Sequence, residues 1–232
     1  MAWFSGSRVP AEAARPPGLR STALKALLDG LRPGSRHAVL DLGPPVAANV
    51  RILSALWCRI RIADLHRSLS AESTESRRPE AAGALVERLL PLASGERFDA
   101  LFAWDVFDYM HPDQVSALMA WLAPACRPGV PMLVLASTRH DIPATPLRYR
   151  ILDPENLACE GPREPTRACP RYTQHDLGRM MRGFSVRRSV LLRSGVQEYL
   201  FARAEGEPVR VEGAEAVRGV PPGHLWFRRG PL

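Results

Sequence analysis

Three aspartates stand where short apolar runs stop. Asp41 lies in the run 38–42 just before Gly43, Asp64 near the end of 59–65, and Asp105 directly after 100–104. In open α/β sheets, ligands bind in the crevice outside the carboxyl ends of the strands. An acid placed there, beside a helix N-terminus, either meets a ribose-bearing ligand or ties down the backbone N–H groups of its own turn. Trp104, next to Asp105, either covers such a ligand or packs in the core. His140 and Asp141 follow a further apolar run, 130–137. A histidine there either deprotonates a hydroxyl, since its ordinary pKa is near neutrality, or is a solvated loop residue.

The elements that must position these residues follow from the pattern. Residues 38–42 suit a buried parallel strand ending in a Gly turn. Val46, Val50, Leu53 and Trp57 recur at helical spacing, and 59–65 reads as a second strand. Upstream, Ser21 or Thr22 caps a helix with Leu24, Leu27, Leu28 and Leu31 on one face. Downstream, 66–79 is polar and reads as a loop, and 80–90 as a helix. Residues 88–92 are the only candidate for a third strand. A strand at 100–104, a helix with Pro112 at its first position and a strand at 130–137 come next. Residues 138–171 read as irregular, rich in Pro, Arg and Cys. Their length suggests a lid or a partner surface. A helix over 172–181 starts at Thr173, and 185–192 with 197–204 form a hairpin about Ser194-Gly195.

Val-Leu-Asp-Leu-Gly at 39–43 resembles the first motif of the class I S-adenosylmethionine-dependent methyltransferases, a Rossmann-like family. The order of elements over about 20–204 is similar as well. The resemblance implies one α/β domain, a doubly wound and mostly parallel sheet closed by an antiparallel C-terminal hairpin. It implies S-adenosylmethionine as cofactor, with Asp41 and Gly43 at its amino-acid portion and Asp64 on the ribose hydroxyls. Trp104 would lie at the adenine or methyl donor, and Asp105 and His140 would be the catalytic candidates at the pocket mouth. The family's Gly-x-Gly-x-Gly would fall on Gly43, Pro45 and Ala47, so one glycine remains. Pro44 and Pro45 fix φ and remove two N–H donors, which points to weak cofactor binding or none. The Asn/Asp-Pro-Pro-aromatic run of amino-methylating members is missing after 100–104, which favours an oxygen or carboxyl acceptor. The alternatives are a degenerate fold that binds a protein partner through 138–171 or the C-terminal tail, and an RNA- or DNA-associated protein.

The chain has 232 residues and is 46% hydrophobic, enough for one α/β domain. The expected division is an arm at 1–19, the domain at 20–204 and a tail at 205–232. The formal charge of +7 invites a nucleic-acid partner. Lys25 is the only lysine, and the arginines are scattered rather than clustered, which fits coding bias better. No secretory signal and no membrane span are read. Four cysteines without Cys-x-x-Cys spacing suggest free thiols in the cytoplasm, and no metal site is expected.

Overall fold

The computed structural model describes residues 18–31, 34–75 and 81–205, with the side chains of 71–75 left aside. Most of the expected arm and tail, including Leu225, Trp226 and Phe227, lies outside the described residues. In chain order the elements begin with β1 (Leu19–Arg20), α1 (Thr22–Asp29), β2 (His37–Asp41), α2 (Ala47–Ala55) and β3 (Cys58–Ile62). There follow α3 (Leu65–Glu75), α4 (Ala82–Leu89), β4 (Ala100–Trp104), a 3-10 turn over Val106–Tyr109, α5 (Pro112–Leu122) and β5 (Pro131–Ser137). The remainder is β6 (Asp141–Pro143), β7 (Arg148–Asp153), β8 (Asn156–Glu160), β9 (Thr166–Ala168), α6 (Gln174–Met180), β10 (Phe184–Leu191) and β11 (Val196–Arg203).

The main sheet has six strands in the order β10-β11-β5-β4-β2-β3. β3, β2, β4 and β5 are parallel, and β11 and β10 close the sheet antiparallel. This is the expected mostly parallel sheet with its hairpin. Among the described residues no strand lies between β3 and β4.

Alternation along the strands builds two cores. Leu40, Leu101, Ala103, Met132 and Val134 face α4, α5 and α6. Val39, Ala100, Phe102, Leu133 and Leu135 face α1, α2 and the β7–β8 hairpin. Side chains of successive strand residues point to opposite faces, so each fully buried strand feeds both layers.

α1 starts at Ser21, whose hydroxyl accepts the Leu24 N–H at 2.9 Å. Glu198, 1% exposed on β11, accepts the N–H groups of Thr22 and Ala23 at 3.1 and 3.0 Å and bonds the Ser21 hydroxyl. A buried carboxylate at a helix N-terminus satisfies open donors and complements the dipole, so Glu198 pins α1 to the sheet.

Three expectations change. Residues 65–75 form a helix where a loop was expected, because Leu65 and Leu69 give it an apolar edge against the core. Trp57 is not on the face of α2: it follows the helix at φ 61° and is 64% exposed. Residues 138–171 are largely ordered strand rather than irregular. β7 and β8 pair with β1 in a three-stranded sheet, and β6 pairs with β9. The C-terminal end of the domain is as expected: Thr173 caps α6, and the hairpin turns at Gly195 with φ 78°.

Candidate active site

At the end of β2, the buried Asp41 Oδ1 accepts two hydrogen bonds, from the Gly43 N–H at 2.9 Å and from the Trp104 indole Nε1–H at 2.7 Å. Burial raises the Asp41 pKa to about 6, against the lowering effect of those two bonds. Trp104 ends β4 at φ 48°, a left-handed conformation that a bulky side chain adopts only at a cost of about 1–3 kcal/mol. Its indole stacks on Phe102, with centroids 5.0 Å apart, and on Tyr149 of β7 at 5.8 Å and 2°. The ring also lies against Gly43. A Cβ there would stand 2.5 Å from Trp104 Cδ1, so the glycine is needed for this close approach. The seat beside Gly43 is thus filled by the protein's own indole. Pro44 is half-buried and Pro45 is exposed.

The tip of β4 continues into the turn that carries Asp105, Asp108 and Tyr109. His66, 5% exposed at the start of α3, places Nε2 3.3 Å from Asp105 Oδ1, off the line of a hydrogen bond. Protonation of the ring makes this an ion pair. The His66 ring meets Tyr109 edge-on at 5.1 Å. Asp108 Oδ2 accepts the Ser137 N–H at 2.8 Å, which ties the turn to the end of β5. Burial and the neighbouring Asp105 raise the Asp108 pKa to about 8, despite the bond from Ser137. Among the described residues, Asp105 Oδ1 and Asp108 Oδ1 are buried without a hydrogen-bond partner, as are both nitrogens of His66.

The 138–171 segment roofs this tip. Asn49 of α2 donates from Nδ2 to the Tyr149 carbonyl at 2.9 Å and accepts the Ile151 N–H at 2.8 Å. The Tyr109 hydroxyl donates to the Pro143 carbonyl at 2.9 Å. Beneath the roof is a cavity of about 560 Å³, whose wall includes Asp105, Asp108, Tyr109, Leu135, Tyr149 and Cys159. Arg139, Asp141, Arg163 and Glu164 also border it and are exposed.

The structure brings Asp41, Gly43 and Trp104 into direct contact and puts Asp105 in the cavity wall. Asp64 stands half-buried just past β3 at φ 45°, outside that wall. His140 is 79% exposed, 3.4 Å from Asp141, and is also outside it. Sequence reasoning missed His66, Asp108's burial and Tyr149. The one available signal was the position of His66, two residues after the acid that ends the second strand. All four cysteines are free, and the described residues hold no group of three or more His, Cys, Asp or Glu placed to bind a metal. No described helix is long and apolar enough to cross a membrane.

No protein-family profile matches the chain, and no curated protein matches it. Among solved structures, it is similar to the Burkholderia thailandensis 1,6-didemethyltoxoflavin-N1-methyltransferase with bound 1,6-didemethyltoxoflavin and S-adenosylhomocysteine. The identity is 16%, over 79% of this chain and 77% of that one, with a TM-score of 0.46. It is also similar to the N-methyltransferase NodS of Bradyrhizobium japonicum, at 13% identity over 79% and 93% of the two chains, with a TM-score of 0.45. A third is the magnesium protoporphyrin IX methyltransferase of Synechocystis with bound S-adenosylmethionine, at 12% identity over 78% and 76%, with a TM-score of 0.44.

Proposed function

We propose that this chain is a methyltransferase-type enzyme that uses S-adenosylmethionine on a small acceptor held in the roofed cavity. One observation carries the reading. Asp41, Asp64 and Asp105 come at the carboxyl ends of three neighbouring parallel strands, and the roofed cavity opens at that same edge of the sheet. The Val-Leu-Asp-Leu-Gly motif at 39–43 supports it.

As the chain stands, its residues do not fit the cofactor's methionine portion. The Gly43 seat holds the Trp104 indole, and Asp41 Oδ1 already accepts two bonds. Cofactor binding therefore requires Trp104 to leave. We infer that the Trp104 indole obstructs the site in addition to the Pro44-Pro45 turn. Asp64, half-buried at the sheet edge, remains our candidate for the ribose.

On the acceptor side, the chain's own residues exclude water and move a proton. The roof shields the cavity, and Asp105 lies in its wall with His66 behind it. Asp105, ionised beforehand, takes the acceptor's proton and becomes neutral, and His66, with Nε2 3.3 Å from Oδ1, positions that carboxyl group. His140 is too exposed for this task. An oxygen acceptor is preferred, because the chain lacks the Asn/Asp-Pro-Pro-aromatic run. Four free thiols suit a cytoplasmic setting.

The Trp104–Asp41 bond favours a second reading, a degenerate domain that binds a protein partner through the ordered 138–171 roof or the C-terminal tail. Calorimetry with S-adenosylmethionine and S-adenosylhomocysteine separates the two. Weak but saturable binding, with Kd of tens of micromolar or above, about −6 kcal/mol, supports the enzyme. No heat at millimolar cofactor, for the native chain and for Trp104→Ala alike, supports the scaffold.

A further inference from the structure

Trp104 ends β4 in an unusual way. Its backbone stands at φ 48°, and the register of β4 against β5 slips between Phe102 and Trp104. Such irregularities re-aim a side chain at the end of a strand, and a strained residue persists where its surroundings hold it. Three side chains hold this one. Asp41 accepts the indole N–H at 2.7 Å, Phe102 stacks on the ring from the same strand, and Tyr149 stacks on it from the roof. Asp41 and Phe102 belong to the packed main sheet and are buried. Tyr149 comes from β7, which lies in a separate three-stranded sheet, and it also borders the cavity of about 560 Å³. Interiors are close-packed, so a ring moves where there is space beside it. Of the three holders, Tyr149 is the one next to such a space.

We infer that Tyr149 is a latch on Trp104, and that movement of the roof strand β7 decides whether the seat beside Gly43 is open. With Tyr149 stacked, the indole stays on Asp41 and against Gly43, and the seat is closed. When β7 carries the phenol toward the cavity, the indole loses one of its three holders. The strain in its backbone then favours departure. Naming the seat as the place of the cofactor rests on the methyl-transfer reading; the latch does not. Asn49 sets how firmly the latch is held, because it bonds the Tyr149 carbonyl and the Ile151 N–H of β7. The coupling runs both ways: whatever holds the seat open also deprives β7 of its contact with Trp104. A ligand for a seat that is open for a fraction of the time binds more weakly by that fraction.

The test reads hydrogen exchange at the indole N–H groups of the full chain, labelled with nitrogen-15, without cofactor. The Trp104 signal is assigned by its loss in Trp104→Phe. Trp121, whose indole N–H donates to the Leu90 carbonyl at 2.9 Å, is the internal reference. Tyr149→Leu removes the stacked ring and should speed Trp104 exchange by about three- to tenfold, the worth of one aromatic pair. Trp121 exchange should not change. Tyr149→Phe keeps the ring and should match the native chain at both indoles. Native-rate exchange of Trp104 in Tyr149→Leu, or equal acceleration of Trp104 and Trp121, overturns the inference. If Tyr149→Leu fails to fold, Asn49→Ala decides by the same comparison, because it frees β7 with the ring in place. Calorimetry with S-adenosylmethionine separates the latch from the reading it rests on. Tyr149→Leu should tighten binding by the factor seen in exchange, and Tyr149→Phe should not. Faster Trp104 exchange in a chain that binds no S-adenosylmethionine, even as Trp104→Ala, keeps the latch and removes the enzyme reading. Tighter binding by Trp104→Ala with native-rate Trp104 exchange in Tyr149→Leu does the reverse.

Discussion

Trp104 and Gly43 are fitted to each other across 61 positions of sequence: the indole Cδ1 lies 2.5 Å from where a Cβ on residue 43 would stand. Neither residue can change size without the other. Gly43→Ala should destabilise the fold by about 1–3 kcal/mol, the range for overpacking a tight core. In the Trp104→Ala background the same change should cost much less. A double-mutant cycle in denaturant measures this coupling. Additive effects would show that the indole does not press on Gly43.

Trp104→Ala should also empty the seat. It removes the donor to Asp41 and the stack on Tyr149, so stability should fall by about 3–5 kcal/mol, as for other large-to-small core changes. Affinity for S-adenosylmethionine should rise at the same time, by about tenfold or more, because the cofactor no longer has to displace the ring. Calorimetry on the folded variant reads both. Unchanged affinity would mean that the indole is not what limits binding.

The sequence made some of this legible, and the reasons are physical. The strands 38–42, 100–104 and 130–137 are short, apolar and buried on both faces, so local composition marks them. α6 and the final hairpin carry their own signals in Thr173 and Gly195. α3 lacked one, since its apolar residues reduce to Leu65 and Leu69 in a polar stretch. The roof strands were hidden because their stability is non-local: Leu19 pairs with Leu157, and Asn49 bonds the backbone of β7. The importance of Gly43 was legible, but not its reason. Its neighbour is a side chain from the end of another strand rather than a ligand, and no local pattern states that. His66 was missed because nothing in its neighbours announces that α3 begins at Leu65 and turns the ring toward Asp105.

Asn49 holds the roof to the motif helix through two bonds to β7. Asn49→Ala leaves the Ile151 N–H and the Tyr149 carbonyl without these partners, which should cost about 1–3 kcal/mol. The loss should be local. Amide exchange should speed up in β7 and β8 well before it does in β4 and β5, and the Tyr149–Trp104 stack should loosen. Uniform loss of protection across the sheet would show instead that the roof and the sheet unfold as one unit.

Asp108 makes stability depend on pH in the direction opposite to a salt-bridged acid. Its pKa is about 8 in the folded chain, by burial and by repulsion from Asp105, and about 3.9 when unfolded. Between those values the folded state binds more protons than the unfolded state. Stability therefore falls as pH rises from about 4 to about 8, and levels off above that. Asp41, at about 6, adds a slope of the same sign that ends earlier. Asp108→Asn keeps an acceptor for the Ser137 N–H and carries no charge. The variant should lose the slope between about pH 6 and pH 8 and about half of the slope between about pH 4 and pH 6, keeping the half due to Asp41. Near pH 8.5 it should melt above the native chain. The measurement is Tm against pH for the two proteins, with their difference isolating residue 108 from every other titrating group. A difference that stays constant from pH 5 to pH 9 would mean that Asp108 is ionised throughout, with its charge met by His66 or by a solvent path into the cavity.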